Sequence, residues 1–141
     1  MKYGMTGTRK GMTVTQRNVF LHALHQHPKL DHLVHGDCIG ADADAHQIAR
    51  SLGHTVTIRP CTLTDQRAFC AADHEHPARK PLPRNADIVS EAEVMFAFPS
   101  GYKEMKRKSG TWATIRYTRK AGKLLYIIYP DGTVVPEGGE R

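Results

Sequence analysis

Asp31-His32-Leu33-Val34-His35-Gly36-Asp37-Cys38-Ile39-Gly40-Ala41-Asp42-Ala43-Asp44-Ala45-His46-Gln47-Ile48-Ala49-Arg50-Ser51-Leu52-Gly53-His54-Thr55-Val56-Thr57-Ile58 is the stretch that decides the fold. Leu33 and Val34 make residues 31–35 a short buried strand, and residues 36–40 form a glycine-bounded loop. Across residues 41–52, Ala41, Ala45, Ile48, Ala49 and Leu52 fall on one face at helical spacing. Gly53 stands where a helix C-cap belongs. Residues 54–58 then alternate Val56 and Ile58 inward, as a strand does. Strand, helix and strand in this order form a crossover unit, which pairs its strands in parallel.

The same alternation continues on both sides. Residues 2–6 are a strand, and Thr6-Gly7-Thr8-Arg9-Lys10-Gly11 a loop opening a helix. Thr13 and Gln16 form a capping box, with Val14, Phe20, Leu21 and Leu24 on the helical face until His27-Pro28 stops it. Residues 59–83 hold four prolines and little periodicity, a long functional loop or lid. Residues 84–92 read as a helix, 94–98 as an apolar strand ended by Pro99-Ser100-Gly101, and 102–109 as a basic loop. Residues 110–121 form a helix ended by Gly122. Residues 124–129 are the most hydrophobic strand, followed by an Asp131-Gly132 turn and a polar tail. The pattern predicts an α/β fold, a Rossmann-like three-layer sandwich with a mainly parallel sheet of about five strands and helices on both faces. Ligands of such sheets sit beyond the carboxyl ends of the strands.

At 141 residues, 40% of them hydrophobic and 24% charged, the chain is expected to form one globular domain over residues 1–141. No stretch approaches the roughly 18–20 apolar residues of a membrane span, and residues 1–17 lack the apolar centre of a secretory signal, so the expected location is cytoplasmic. Cys38, Cys61 and Cys70 are too few and odd in number for a disulfide framework. Twenty Lys and Arg against fourteen Asp and Glu give a net charge of +6. That surplus suits polyanionic partners and equally a soluble protein with a mildly basic face.

Three loops stand at strand ends. Ser109-Gly110-Thr111 opens a helix, where unpaired amides and the helix dipole favour an anion, with Lys106, Arg107 and Lys108 beside it. Thr6, Gly7, Thr8 and Arg9 make the same offer. The segment 35–44 sets Asp37, Asp42 and Asp44 around a turn. Asp42 is expected as an anion in the first helical turn, suited to a ribose hydroxyl, a cation or general-base chemistry, or simply to compensating the dipole.

Thr6-Gly7-Thr8-Arg9, Gly36-x-x-x-Gly40-Ala41-Asp42, Arg84-Asn85 and Phe98-Pro99 followed by Ser109-Gly110-Thr111 together resemble the SLOG superfamily, over about residues 2–128. That group includes the cytokinin-activating LOG phosphoribohydrolases, the DNA-processing protein A domain and sensors of NAD-derived nucleotides. The resemblance implies that Thr6, Gly7, Thr8, Arg9, Gly36, Asp37, Gly40, Ala41, Arg84, Asn85, Pro99, Ser109, Gly110 and Thr111 hold a nucleotide or phosphoribosyl group. It also implies a homo-oligomer and no further cofactor. The phosphoribohydrolases carry a catalytic glutamate two or three residues after their Gly-Thr, where this chain has Ala113 and Thr114. Pro99-Ser100-Gly101 is separated from Gly110 by a longer stretch than the family pattern has. Hydrolysis of a nucleoside monophosphate at its N-glycosidic bond would then fall to Asp42 as the catalytic carboxylate, stabilising an oxocarbenium-like transition state or activating water.

Two other functions stay open. One is a single-stranded nucleic-acid module in which the loop 103–108, Arg116, Arg119 and Lys120 track phosphates. The other is a regulatory partner without a working ligand site. Cys61, Cys70, His74 and His76 match no familiar zinc spacing, so no metal site is assigned. His35 and Cys38 are expected to pack beneath their loop, and Trp112 in the core.

Overall fold

The computed structural model describes residues 1–139. In chain order the elements are β1 (Lys2–Gly7), α1 (Val14–Gln26), β2 (His32–His35), α2 (Ala41–Ser51), β3 (Thr55–Ile58), β4 (His74–Glu75), α3 (Pro81–Glu91), β5 (Val94–Phe98), α4 (Gly110–Ala121), β6 (Leu124–Ile128) and β7 (Val134–Glu137). They build a single sheet in the order β4-β3-β2-β1-β5-β6-β7, parallel throughout except for the antiparallel β6–β7 pair. The α/β sandwich expected from the sequence is present, with seven strands in place of about five. Both additions are rim strands that carry little periodic signal: β4 is two exposed residues inside the lid, and β7 lies in the stretch read as a polar tail.

The strands alternate between two cores, as a period of two requires. From β5, Val94, Phe96 and Phe98 face the layer of α1 and α2, while Met95 and Ala97 face that of α3 and α4. Tyr3, Phe20, Phe96 and Phe98 form an edge-to-face cluster in the first core, with ring centroids 5.0–6.2 Å apart.

Two helices depart from the sequence reading. The capping box of α1 forms as expected, Thr13 Oγ1 accepting from Gln16 N and Gln16 Oε1 from Thr13 N. Val14, however, is 74% exposed, and the buried face is Gln16, Phe20 and Leu24. Gln16 enters the core because its Nε2 donates to Pro99 O and Ile128 O, which offsets the cost of burying an amide. Helix α3 begins at Pro81, three residues before the expected start at 84. The first-turn amides of a helix lack intrahelical partners, so Pro81 and Pro83 sacrifice no bond there.

Phe20→Ala is expected to cost about 3–5 kcal/mol in urea unfolding, through lost burial and the cavity left among the aromatic rings. Val14→Ala should stay within about 0.5 kcal/mol.

Candidate functional site

The carboxyl ends of β1 and β5, the lid and the first turns of α3 and α4 surround a cleft of about 1010 Å³. Thr6, Gly7, Thr8 and Arg9 enter it from β1, Arg84 and Asn85 from α3, Pro99 from β5, and Ser109, Gly110 and Thr111 from the start of α4. Asp42 reaches it from α2. Gly36, Asp37, Gly40 and Ala41, expected on sequence grounds to touch a ligand, are not among its lining residues. They shape the floor from below.

Gly40 has φ +91°, and a Cβ there would lie 2.4–2.6 Å from the backbone of Arg9. A Cβ at Gly7 would lie 2.5 Å from that of Ala41. Between these two contacts Thr8 O accepts the Ala41 amide at 3.0 Å, so the end of β1 is fastened to the start of α2.

Each carboxylate of the second turn has its own task. Asp37, fully buried with φ +59°, accepts Arg67 Nε and Cys70 N, both at 2.8 Å, while its carbonyl accepts Ala68 N. It ties the lid to β2 and faces away from the cleft. Asp44 accepts the Met12 amide and pairs with Arg17, holding the entry to α1. Asp42 Oδ2 accepts the amides of Gly36 and Cys38 at 3.1 and 3.0 Å. The sequence reading made Asp42 an anion favoured by the helix dipole. Burial instead pushes its carboxyl up to about 6, with Arg84 and the two amides opposing that shift.

Arg84 is buried, and its hydrogen bonds end on neutral acceptors: Asn85 Oδ1 at 2.8 Å, Gly36 O at 2.6 Å, Arg59 O at 3.1 Å and Cys38 Sγ at 3.5 Å. Burial and the nearby Asp42 raise the Cys38 thiol to about 12, which keeps it protonated. Cys38 lines the cleft where the sequence suggested burial beneath the loop. Because Arg84 holds the Asn85 oxygen, the Asn85 amide nitrogen is left toward Gly110. Ser109 Oγ is used as a cap, accepting from Trp112 N at 3.1 Å. The amides of Gly110 and Thr111 make no hydrogen bond among the described residues, whereas those of Gly36, Cys38 and Ala41 are already engaged.

Among the described residues, eight Lys and Arg side chains line the cleft against one carboxylate, Asp42. Lys10, Lys103, Lys106, Arg107 and Lys108 are exposed, whereas Arg116 pairs with Glu104 and Arg119 with Glu104 and Glu137. Trp112 is buried in the second core, as expected, with an edge on the cleft. Leu63, Gln66, Leu82 and Met105 also line it. Sequence reasoning missed them because neither the lid nor the basic loop carries a periodicity that assigns a face.

The lid donors Cys61, Cys70, His74 and His76 do not converge. Among the described residues, His35, His46 and Cys70 bring one ligand atom each within 4.8 Å of the others. The tautomer of His35 opposes metal binding there. Asp37 N donates to His35 Nδ1 at 2.9 Å, which leaves the ring proton on Nε2, 3.0 Å from His46 Nδ1. Burial lowers His35 to about 3, so this ring is neutral, and it packs beneath the loop as the sequence suggested.

No protein-family model and no curated protein matches this sequence. Solved structures match its fold. The structural-genomics target TM1055 aligns at 17% identity with a TM-score of 0.63, over 88% of this chain and 71% of its own. The molybdenum cofactor binding protein of the phototrophic bacterium Rippkaea orientalis aligns at 18% identity with a TM-score of 0.68, over 91% and 76%. DNA processing protein A from Helicobacter pylori, described by its single-stranded DNA binding mode, aligns at 18% identity with a TM-score of 0.61, over 90% and 64%. These three structures share the α/β fold of this chain, a mostly parallel sheet between two helical layers. None of its described helices is long and apolar enough to cross a membrane.

Two measurements check this geometry. Gly40→Ala should cost well over the roughly 1–2 kcal/mol of a left-handed residue, because its Cβ meets backbone; Gly53→Ala, also at positive φ but in open space, should cost only that. Asp42 binds its proton more tightly folded than unfolded, so its contribution to wild-type stability falls as pH rises from 3.8 to about 6. Asp42→Asn lacks that fall. In urea unfolding its stability relative to wild type should improve by about 2–3 kcal/mol between pH 4 and pH 7.

Proposed function

We propose that the cleft binds a nucleotide or another phosphoribosyl-containing ligand, with its phosphate at the first turn of α4. The observation that carries this reading is the charge of the lining: six exposed cationic side chains, Arg9, Lys10, Lys103, Lys106, Arg107 and Lys108, against one largely buried carboxylate, around a helix N-terminus whose first amides make no hydrogen bond among the described residues. A phosphate there receives the Gly110 and Thr111 amides, the positive end of the helix dipole and the Asn85 amide. Arg9, Lys10, Lys106 and Lys108 add charge at the rim. The chain works as a single domain in this reading, and the Gly36–Gly40 turn acts by supporting the floor, with its donors already used. The similarity to a molybdenum cofactor binding protein is in keeping with a small-molecule ligand.

Among the described residues Asp42 is the only carboxylate lining the cleft, and therefore the residue on which N-glycosidic cleavage would depend. The place of the family glutamate is taken by Ala113 and by Thr114, whose Oγ1 donates to Gly110 O at 2.8 Å. Asp42 commits Oδ2 to two amides, which fixes the carboxylate and leaves Oδ1 as its reactive atom. Binding without turnover is the reading favoured by this arrangement.

A second reading rests on the exposed loop 103–108 and on the similarity to DNA processing protein A: a single-stranded nucleic acid crossing the same cationic rim. Arg116 and Arg119, held by Glu104 and Glu137, contribute little to it.

Calorimetry with nucleoside monophosphates should detect binding that Arg9→Glu weakens at least tenfold, about 1.4 kcal/mol. Chromatography of the same mixtures should find no free base; base release abolished by Asp42→Asn would instead establish hydrolysis. Absence of nucleotide binding, together with single-stranded DNA binding that falls steeply with salt, would replace the first reading by the second.

A further inference from the structure

The nucleotide reading places the phosphate but leaves open what meets the base. Two leucines stand exposed on the cleft: Leu63 in the lid at 44% and Leu82 in the first turn of α3 at 50%. They belong to segments joined to one another, since Thr62 N donates to Arg79 O at 3.1 Å and Cys61 bridges Arg79 in parallel register. Gln66 lines the cleft from the same side. Its backbone is fixed by a short 3-10 turn, Gln66 N donating to Leu63 O and Gln66 O accepting from Ile39 N, both at 3.0 Å. Arg67, the next residue, is locked onto buried Asp37. The Gln66 side-chain amide, by contrast, makes no hydrogen bond among the described residues.

Resting on the nucleotide reading, we propose that this wall is the base-recognition subsite, with Leu63 and Leu82 covering a face of a planar heteroaromatic base and Gln66 reading its edge. An amide offers one acceptor and two donors in a plane, which matches the mixed donor and acceptor edge of a nucleobase. Exposed leucines lose water favourably against an aromatic face, and ligand clefts combine such apolar walls with a few placed polar groups. The topology gives the right span. The lid follows β3, on one side of β1, and the phosphate site follows β5, on the other. The turn carrying Leu63 and Gln66 is tied back to Ile39, in the loop after β2, and the carboxyl ends of β2 and β5 lie two strand spacings apart, roughly 10 Å, a distance that a nucleoside monophosphate bridges. One end of the cleft is thus cationic and the other apolar with a single free amide. That asymmetry fixes the direction in which the ligand lies.

The test measures, by calorimetry on the intact protein at one salt concentration, the dissociation constants of AMP, GMP, CMP, UMP and ribose 5-phosphate. At least one monophosphate should bind tenfold or more tighter than ribose 5-phosphate. Leu82→Ala, at an exposed position where folding is insensitive, should weaken the preferred nucleotide about fivefold or more and leave ribose 5-phosphate within twofold. Gln66→Leu should change the ranking among the four bases, with thermal unfolding unchanged. Equal affinity for ribose 5-phosphate and every nucleotide, insensitive to both variants, would overturn this subsite while leaving the phosphate site in place. Binding of neither class would remove the nucleotide reading and the subsite together.

Discussion

The bond from the Ala41 amide to the Thr8 carbonyl holds the end of β1 against the start of α2, and the rest of the site depends on it. Only Gly7 and Gly40 allow that approach, since a methyl group at either would overlap its neighbour. The consequence is a division of labour between two helix N-termini. Helix α2 has its first amide taken by Thr8, and the turn before it gives Gly36 N and Cys38 N to Asp42. Helix α4 begins with two amides that nothing in the described chain receives. A glycine-rich turn and a Gly-Thr turn look equivalent as sequence; the hydrogen-bond accounting separates the turn whose amides are spent from the one whose amides are open.

Much of the fold was legible because burial imposes periodicity. The βαβ unit at 31–58 read correctly, since parallel strands need apolar residues on both faces and α2 needs one face of alanines. Rim strands β4 and β7 escaped, being exposed on at least one side, where composition is unconstrained. Gln16 shows the converse case: a polar residue inside the core, invisible to a hydrophobic pattern because two carbonyls distant in sequence, Pro99 O and Ile128 O, make it acceptable there.

The candidate site was legible in part for a similar reason. Thr8, Arg9, Gly110 and Thr111 sit at strand ends, where the order of elements alone places them. Asp37 did not follow, because its partners Arg67 and Cys70 lie about thirty residues on, in an aperiodic lid. Asp42 kept its place but not its electrostatics. The local argument from the helix dipole gave an anion, whereas the surroundings that bury it reach from α3 and the loop itself. Charge shows the same split between local and distant causes. Arg116 and Arg119 look like free cations on a basic helix, yet Glu104 and Glu137 pair with them, so the exposed cations left unpaired along the cleft come from the loop after β1 and from residues 103–108.

The two rims of the sheet limit how the molecule can associate. On one side the last strand, β4, is only His74 and Glu75; on the other, β7 carries Pro136, which has no amide hydrogen to offer. Both margins are poor templates for an added strand. Strand addition at either margin is therefore disfavoured, and the cleft framed by loops stays clear of any sheet grown from end to end.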